Sequence, residues 1–160
     1  SLFSDVKDSG FLKHGTVFGC KTSYLKTCPN RARIIGDYEA NWIEEIDSHK
    51  PELIVLAGFM KILSKNFIHF FHGRIINLHP SILPSFKGLG AIERAFTHGV
   101  KITGCTVHWV NDSIDCGQII DQTPVRIFDD DDLDKVTSRV HAAEHYLLPK
   151  VIRELSENIG

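Results

Sequence analysis

The run Leu53–Ala57 constrains the fold of this 160-residue chain more than any other feature of its sequence. All of its residues are apolar, most are branched, and Gly58 follows directly. A short run of this kind suits a strand better than a helix, and both faces of such a strand should be buried. We therefore predict a central strand of a parallel sheet that is flanked by helices.

Helices and strands alternate along the rest of the chain, which predicts a single α/β domain over residues 1–160. Residues 1–36 show no dominant period, and we expect loops there around a short strand at 16–20. Because residues 111–117 are rich in turn formers, the strands on either side should pair antiparallel at one edge of a mostly parallel sheet. The other predicted elements are a helix with Asp37 as its N-cap that ends before Pro51, strands at 74–78, 103–110 and 118–125, short helices at 63–71 and 91–98, and a long amphipathic helix from Asp130 onwards.

The charge balance and the cysteines limit the classes of function. With 18 Lys and Arg against 20 Asp and Glu, the formal charge of −2 argues against a general nucleic-acid binder. The longest apolar run, Leu53–Met60, is far shorter than the roughly 20 residues of a membrane span, and Ser1–Asp5 does not resemble a signal peptide. The four cysteines form no C-x-x-C pair. In a chain of this size we interpret them as reduced thiols of a cytoplasmic protein. We expect a cytoplasmic protein that binds small molecules.

Asn77 and His79 are the first candidate functional residues, since they stand at the carboxyl end of the strand predicted at 74–78. Ligands of open parallel sheets bind at this edge. Alternation along a strand places residues i and i+2 on the same side, so the two side chains can face one site. An amide donor beside an imidazole suits an oxyanion and a proton transfer. The alternative is an ordinary turn, because Asn and the pair His79–Pro80 are common there.

The loop His79–Gly90 contains two prolines and two glycines, and a rigid loop of this kind beside a strand end often belongs to an active site. Its Leu83–Pro84 bond is a candidate for the cis isomer. Asp112 and Asp115 lie in the later turn between two strands. A carboxylate there could reach an imidazole, although Asp is also a frequent turn residue.

Two acidic or histidine-rich patterns suggest a metal but are better explained otherwise. His141–His145 matches H-x-x-E-H, a zinc-protease signature that also needs a carboxylate ligand well downstream. The remaining residues continue the same helix, so we predict no metal and expect this helix to meet a polar ligand. Asp129–Asp134 lacks the Gly and Glu of a calcium-binding EF-hand loop, and we interpret it as the start of the long helix.

Five motifs occur in an order that resembles the folate-dependent formyltransferases. They are Val55–Leu63, Ile76–Gly88, Gly104–Val110, Asp115–Ile120 and Arg139–Pro149. The resemblance implies a formyltransferase-like, Rossmann-like fold and a catalytic triad of Asn77, His79 and Asp115. It also implies formyl transfer from 10-formyltetrahydrofolate to the amine of glycinamide ribonucleotide in purine biosynthesis, without a metal and in a monomer or homodimer.

The resemblance also assigns binding residues. For the folate it implies Met60, Lys61, Ile62, Leu63, Asn77, Asn111, Asp112, Ser113, Ile114 and Asp115, and for the nucleotide substrate His141, Ala142, Ala143 and Glu144. His141 stands where the family has Gln or a similar residue.

One departure from the family concerns the amino-terminal part. The family begins with a strand, a Gly-rich Ser-Gly-x-Gly-Ser-Asn loop that binds the substrate phosphate, a helix and a second strand, and this sequence contains no such loop. We therefore expect an amino-terminally incomplete catalytic domain. The alternatives are a formyltransferase that acts on another amine, a formyltetrahydrofolate hydrolase, or a non-catalytic folate-binding remnant. The missing loop favours a remnant, whereas the intact triad favours an enzyme.

Overall fold

The computed structural model describes residues 1–29 and 32–159, which form two units. The first unit comprises Ser1–Pro51 and Met60–Phe70, and the second comprises Glu52–Phe59 and Phe71–Gly160. Asn30 and Arg31, within the region predicted as loops, lie outside the described residues.

The first unit contains two short parallel strands and three helices. Its elements are β1 (Leu2–Ser4), α1 (Gly10–Val17), β2 (Thr22–Tyr24), α2 (Asp37–Ser48) and α3 (Lys65–Phe70). The strand predicted at 16–20 is wrong, because these residues belong to the end of α1 and the turn after it. Ser9 caps α1 by accepting a hydrogen bond from the Leu12 N–H at 3.2 Å. Gly10 and Gly15 lower the helix propensity of this segment, which is why its helix escaped the sequence analysis.

The helix predicted after Asp37 is confirmed, with its start shifted by one residue. Gly36, at φ 62°, is the N-cap, and Asp37 lies in the first turn. Its negative charge interacts favourably there with the positive end of the helix dipole. Trp42 and Ile46 are buried on one face of α2, as the period predicts. The helix predicted at 63–71 is confirmed as α3.

The second unit contains one four-stranded sheet and two helices. Its elements are β3 (Ile54–Leu56), β4 (Ile75–His79), α4 (Ala91–His98), β5 (Ile102–Trp109), β6 (Ile119–Arg126) and α5 (Leu133–Ile159). The strands follow one another in this order, with β3 parallel to β4 and with antiparallel pairing from β4 to β5 and from β5 to β6. The α/β class and the antiparallel edge are therefore confirmed.

β3 differs from its prediction in position. It is the end strand of the sheet described for this unit, and all three of its residues are only partly buried, so it is not central there. Apolar composition alone cannot distinguish an end strand from a central one.

The long helix α5 covers the antiparallel edge and forms the core with it. Val136, Val140, Leu147 and Val151 are almost completely buried and pack with Ile76, Cys105, Val107, Val125 and Ile127. Asp132 caps the helix by accepting from the Lys135 N–H at 2.8 Å, which confirms the acidic cluster as a helix start. All four cysteines are free thiols, and burial, with the nearby charge of Glu144, raises the pKa of Cys105 to about 11. In the described part of the chain, no helix combines the length and the apolar character needed to cross a membrane.

Candidate active site

Four polar side chains lie on one face of the sheet formed by β4 and β5. The antiparallel register places Asn77 opposite His108 and His79 opposite Thr106. Opposite residues of an antiparallel pair share a face, and so do residues two apart on one strand. His79, Thr106 and His108 are buried, whereas Asn77 is partly exposed. The sheet itself therefore brings an amide and two imidazoles together.

His108 orients the side chain of Asn77. Its Nδ1 lies 2.9 Å from the Trp109 carbonyl oxygen, which can only accept, so Nδ1 carries a proton. In the neutral ring, Nε2 then accepts from the Asn77 amide nitrogen at 3.3 Å. The Asn77 amide has a second N–H, for which the described residues provide no acceptor. This N–H is available to a ligand oxygen.

His79 contacts a backbone carbonyl on one side and a carboxylate on the other. Its Nε2 donates to the Phe86 carbonyl oxygen at 3.0 Å. Its Nδ1 faces Oδ2 of Asp115 at 3.4 Å, which makes an ion pair when the ring is protonated. Both ring nitrogens of His79 therefore face protein acceptors, with the Phe86 carbonyl oxygen at Nε2 and the Asp115 carboxylate at Nδ1.

Asp115 connects the two histidines. Its Oδ1 lies 3.6 Å from Nε2 of His108, and its Oδ2 accepts from the Gly88 N–H at 2.7 Å. The nearby His108 ring is the largest of the influences that lower its pKa to about 2, followed by the Gly88 N–H and the electrostatic attraction of His79, against the opposing effect of burial. Asp115 is therefore an anion throughout the neutral pH range, and its side chain is only 9% exposed.

The short segment Phe86–Gly88 carries both backbone contacts to this cluster. Phe86 and Gly88 have φ angles of 52° and 78°, in the left-handed region. Arg94 donates to the Lys87 carbonyl oxygen. The Lys87 ammonium group donates to Sγ of Cys116, which follows Asp115, at 2.8 Å. The segment is thus tied to α4 and to the loop that bears Asp115.

Gly117 allows that loop to lie against β5. A Cβ atom at this position would lie 1.5 Å from the Trp109 carbonyl oxygen and 3.4 Å from Nδ1 of His108. The close approach is fixed by the hydrogen bond from the Trp109 N–H to the Gln118 carbonyl oxygen at 2.9 Å.

We therefore expect Gly117→Ala to destabilise the protein by several kcal/mol, since the clash involves backbone that cannot rotate away. Urea unfolding measures the loss. Gly88→Ala makes a useful comparison, because a Cβ atom there meets no atom within 4 Å and only the left-handed φ is strained. A stability of Gly117→Ala equal to that of the wild type would contradict the close approach.

The other predicted binding residues are distributed over both units. Met60, Lys61, Ile62 and Leu63 belong to the first unit, where the Ile62 N–H donates to the Ala32 carbonyl oxygen at 2.8 Å. Met60 is 66% exposed, whereas Leu63 is buried. In the second unit, Asn111, Asp112, Ser113 and Ile114 are exposed beside Asp115. Contacts of these residues with a folate stay predictions.

The predicted substrate segment lies on α5. His141 and Ala142 are exposed, whereas Ala143 and Glu144 are partly buried, and Ala143 packs against both core clusters. Burial raises the pKa of Glu144, against the opposing charges of His141 and His145. Among the residues that the structure describes, no group of three or more His, Cys, Asp or Glu side chains is arranged to hold a metal.

His108 and the backbone groups of Phe86 and Gly88 belong to the cluster but were not predicted from the sequence. The spacing of Thr106 and His108 on a predicted strand indicates that their side chains share a face. That His108 lies opposite Asn77 follows only from the register of β4 against β5. The backbone groups have no signal in the sequence.

Comparison with known proteins identifies the family. A family profile described as "Formyl transferase" matches residues 17–152. The phosphoribosylglycinamide formyltransferase of Bacillus subtilis (strain 168) is 42% identical over 118 residues, which are 74% of this chain and 60% of that protein. That of Escherichia coli (strain K12) is 43% identical over 152 residues, 95% of this chain and 71% of that protein.

Solved structures agree with this assignment. The crystal structure of phosphoribosylglycinamide formyltransferase from Streptococcus pneumoniae TIGR4 has a TM-score of 0.87 and 37% identity, over 96% of this chain and 84% of that protein. The chain thus spans less than two thirds of the Bacillus subtilis relative and most of the Streptococcus pneumoniae structure. With matching sequence and fold over most of its length, the chain belongs to the formyl transferase family.

Proposed function

We propose that this protein transfers a formyl group from 10-formyltetrahydrofolate to the amine of phosphoribosylglycinamide, in purine biosynthesis. The observation that carries the proposal is the available Asn77 N–H beside the His79–Asp115 pair, in a chain whose relatives are named for this reaction. The partners are small molecules, and the expected location is the cytoplasm. We keep the expectation of one catalytic domain over 1–160 and of a monomer or homodimer.

The chemistry required is acyl transfer from one nitrogen to another. The neutral amine of the acceptor attacks the formyl carbon, a new C–N bond forms, and the bond from that carbon to the folate nitrogen breaks. Negative charge grows on the formyl oxygen before that bond breaks. The proton that the amine loses ends on the folate nitrogen.

The residues of this cluster suit each part of that reaction. The second amide N–H of Asn77 donates to the formyl oxygen as its charge grows. When the His79 ring is protonated it supplies positive charge nearby, and the Asp115 anion lies 3.4 Å from its Nδ1 and pairs with that charge. Both ring nitrogens of His79 already face protein acceptors. The ring therefore stabilises the oxyanion through its positive charge, when it is protonated, and not through a direct hydrogen bond. Asp115 cannot itself be the proton donor at neutral pH.

The binding of the two substrates follows the regions assigned from the family resemblance. We propose that the folate is bound by 60–63 and by 111–115, together with Asn77, and that the nucleotide substrate is contacted by 141–144. The partial burial of Glu144, on a helix whose buried residues are mostly apolar, supports a polar contact there.

A formyl-transfer assay tests this function. The absorbance change of 10-formyltetrahydrofolate is followed with and without phosphoribosylglycinamide, and formylated product is identified by mass spectrometry. Transfer that requires the nucleotide supports the proposal. Loss of the formyl group as formate without the nucleotide would instead indicate a hydrolase, and folate binding without any turnover would indicate a non-catalytic remnant.

Glu144→Gln should weaken the binding of phosphoribosylglycinamide about 10-fold and leave folate binding unchanged, since it removes a half-buried charge from the proposed substrate segment. Isothermal titration with each ligand separately measures this. Glu157→Gln, an exposed position on the same helix, is the matched control. An equal loss for both ligands would indicate a folding defect and contradict the assignment.

A further inference from the structure

A single buried hydroxyl group on β5 fastens the loop that follows His79. Oγ1 of Thr106 donates to the Ser81 carbonyl oxygen at 2.7 Å and accepts from the Leu83 N–H at 3.1 Å. It also accepts from Nε2 of Gln122 on β6 at 2.9 Å, and the same nitrogen donates to the Leu83 carbonyl oxygen at 3.1 Å. Thr106 is completely buried, so water cannot replace these bonds.

Hydrogen bonds within the loop extend this attachment towards the candidate catalytic groups. Oγ of Ser81, which is also completely buried, donates to the Ser85 carbonyl oxygen at 2.6 Å. The Ser85 N–H donates to the Ile82 carbonyl oxygen at 3.0 Å. The path of the backbone from 81 to 85 is therefore fixed from the sheet below, up to the residue before Phe86.

The next residues hold His79 and Asp115 through backbone atoms only. The Phe86 carbonyl accepts from His79, and the Gly88 N–H donates to Asp115. A backbone atom cannot adjust by rotating a side chain, so both contacts depend on where the loop runs. A displacement of the loop would therefore move two groups together, namely the Phe86 carbonyl that accepts from His79 and the Gly88 N–H that donates to Asp115.

We propose that Thr106, assisted by Gln122, is a positioning residue for formyl transfer. It fixes the loop 81–88 and, through Phe86 and Gly88, the orientation of His79 and Asp115, without touching either substrate. This inference rests on the proposed function. According to this inference, Thr106 and Gln122, which lie outside the triad, help to set the rate of the reaction.

The chain offers a matched control on the same strand. Thr103 is 2% exposed, and its Oγ1 has no hydrogen-bond partner among the residues that the structure describes. Thr→Val at 103 and at 106 therefore makes the same chemical change in two equally buried places. The two variants differ in the hydrogen bonds that they lose.

The test compares Thr106→Val, Thr106→Ser, Gln122→Met and Thr103→Val in the full chain. We expect Thr106→Val and Gln122→Met to lower kcat about 10- to 100-fold, with KM for both substrates within about twofold. The ¹⁵N signals of the His79 ring should shift, and the Leu83 amide should exchange faster with solvent. Thr106→Ser keeps the hydroxyl group and should therefore restore kcat, the His79 signals and the slow exchange of the Leu83 amide. Thr103→Val should behave like the wild type.

Two results would overturn the proposal. One is a folded Thr106→Val protein with wild-type kcat and unchanged His79 signals, and the other is an equal loss of kcat in Thr103→Val. If Thr106→Val does not fold, Gln122→Met decides by the same criteria, because Gln122 is only partly buried. If the wild type transfers no formyl group, the proposed function fails, and the His79 signals and Leu83 exchange still decide whether Thr106 positions the loop.

Discussion

Asn77→Ala should lower the turnover number of formyl transfer about 100- to 1000-fold while leaving the protein folded. The loss corresponds to about 3–4 kcal/mol, the usual effect of removing one donor to an oxyanion. The amide of Asn77 is held by Nε2 of His108 at 3.3 Å, so its second N–H is already oriented before the charge develops. The substrates should bind nearly as well as before, because the formyl oxygen carries little charge in the ground state.

The stability of this variant separates the chemical effect from a structural one. Asn77→Ala removes a single hydrogen bond to His108, at a cost of about 1 kcal/mol in unfolding free energy. Steady-state kinetics and urea unfolding measure the two effects. Asn66→Ala is the matched control, since it removes an amide that bonds Glu39 at 2.7 Å in the other unit. Near-normal turnover in Asn77→Ala would show that Asn77 is not an oxyanion donor.

The elements with long and regular patterns could be predicted from the sequence. The apolar positions of α5 step by three and four residues, and the four of them that the core uses are buried as expected. The turn-rich segment between β5 and β6 predicted their antiparallel pairing. In contrast, α1 is short and contains Gly10 and Gly15, so its period is too weak to detect. Local propensity also could not locate β3 within its sheet.

The candidate site was only partly predictable, for a different reason. The two-residue spacing of Asn77 and His79 follows from strand geometry alone, and the structure places both on one face. The contact between Asn77 and His108 depends on the register of β4 against β5, since a shift by one residue would turn His108 to the opposite face. The contacts of Phe86 and Gly88 involve backbone groups that every residue type has, so no side-chain pattern reveals them.

Asp115→Asn should lower turnover about 100- to 10,000-fold, because the neutral amide can no longer pair with a protonated His79 during acyl transfer. The substitution keeps the shape of the side chain and its ability to accept from the Gly88 N–H, but it removes the anion that lies between His79 and His108. The ¹⁵N signals of the His79 ring should shift, because its Nδ1 loses the carboxylate that lies 3.4 Å away. Asp134→Asn, an exposed position on α5 outside the proposed binding regions, is the control. Turnover within a few-fold of the wild type would show that Asp115 is a turn residue without a catalytic role.

The pH dependence of stability distinguishes the charge of Asp115 from its shape. Its pKa of about 2 in the folded protein lies below the usual value of roughly 3.9, so the ionised carboxylate stabilises the fold above about pH 4. This contribution, on the order of 2 kcal/mol, is lost as the pH falls from about 4 to 2 and the carboxylate becomes protonated. The unfolding free energies of the wild type and Asp115→Asn should therefore differ at pH 6 and converge towards pH 2. Urea unfolding followed by tryptophan fluorescence measures both, and a difference that stays constant down to pH 2 would mean that the hydrogen-bonded shape of Asp115, rather than its charge, stabilises the site.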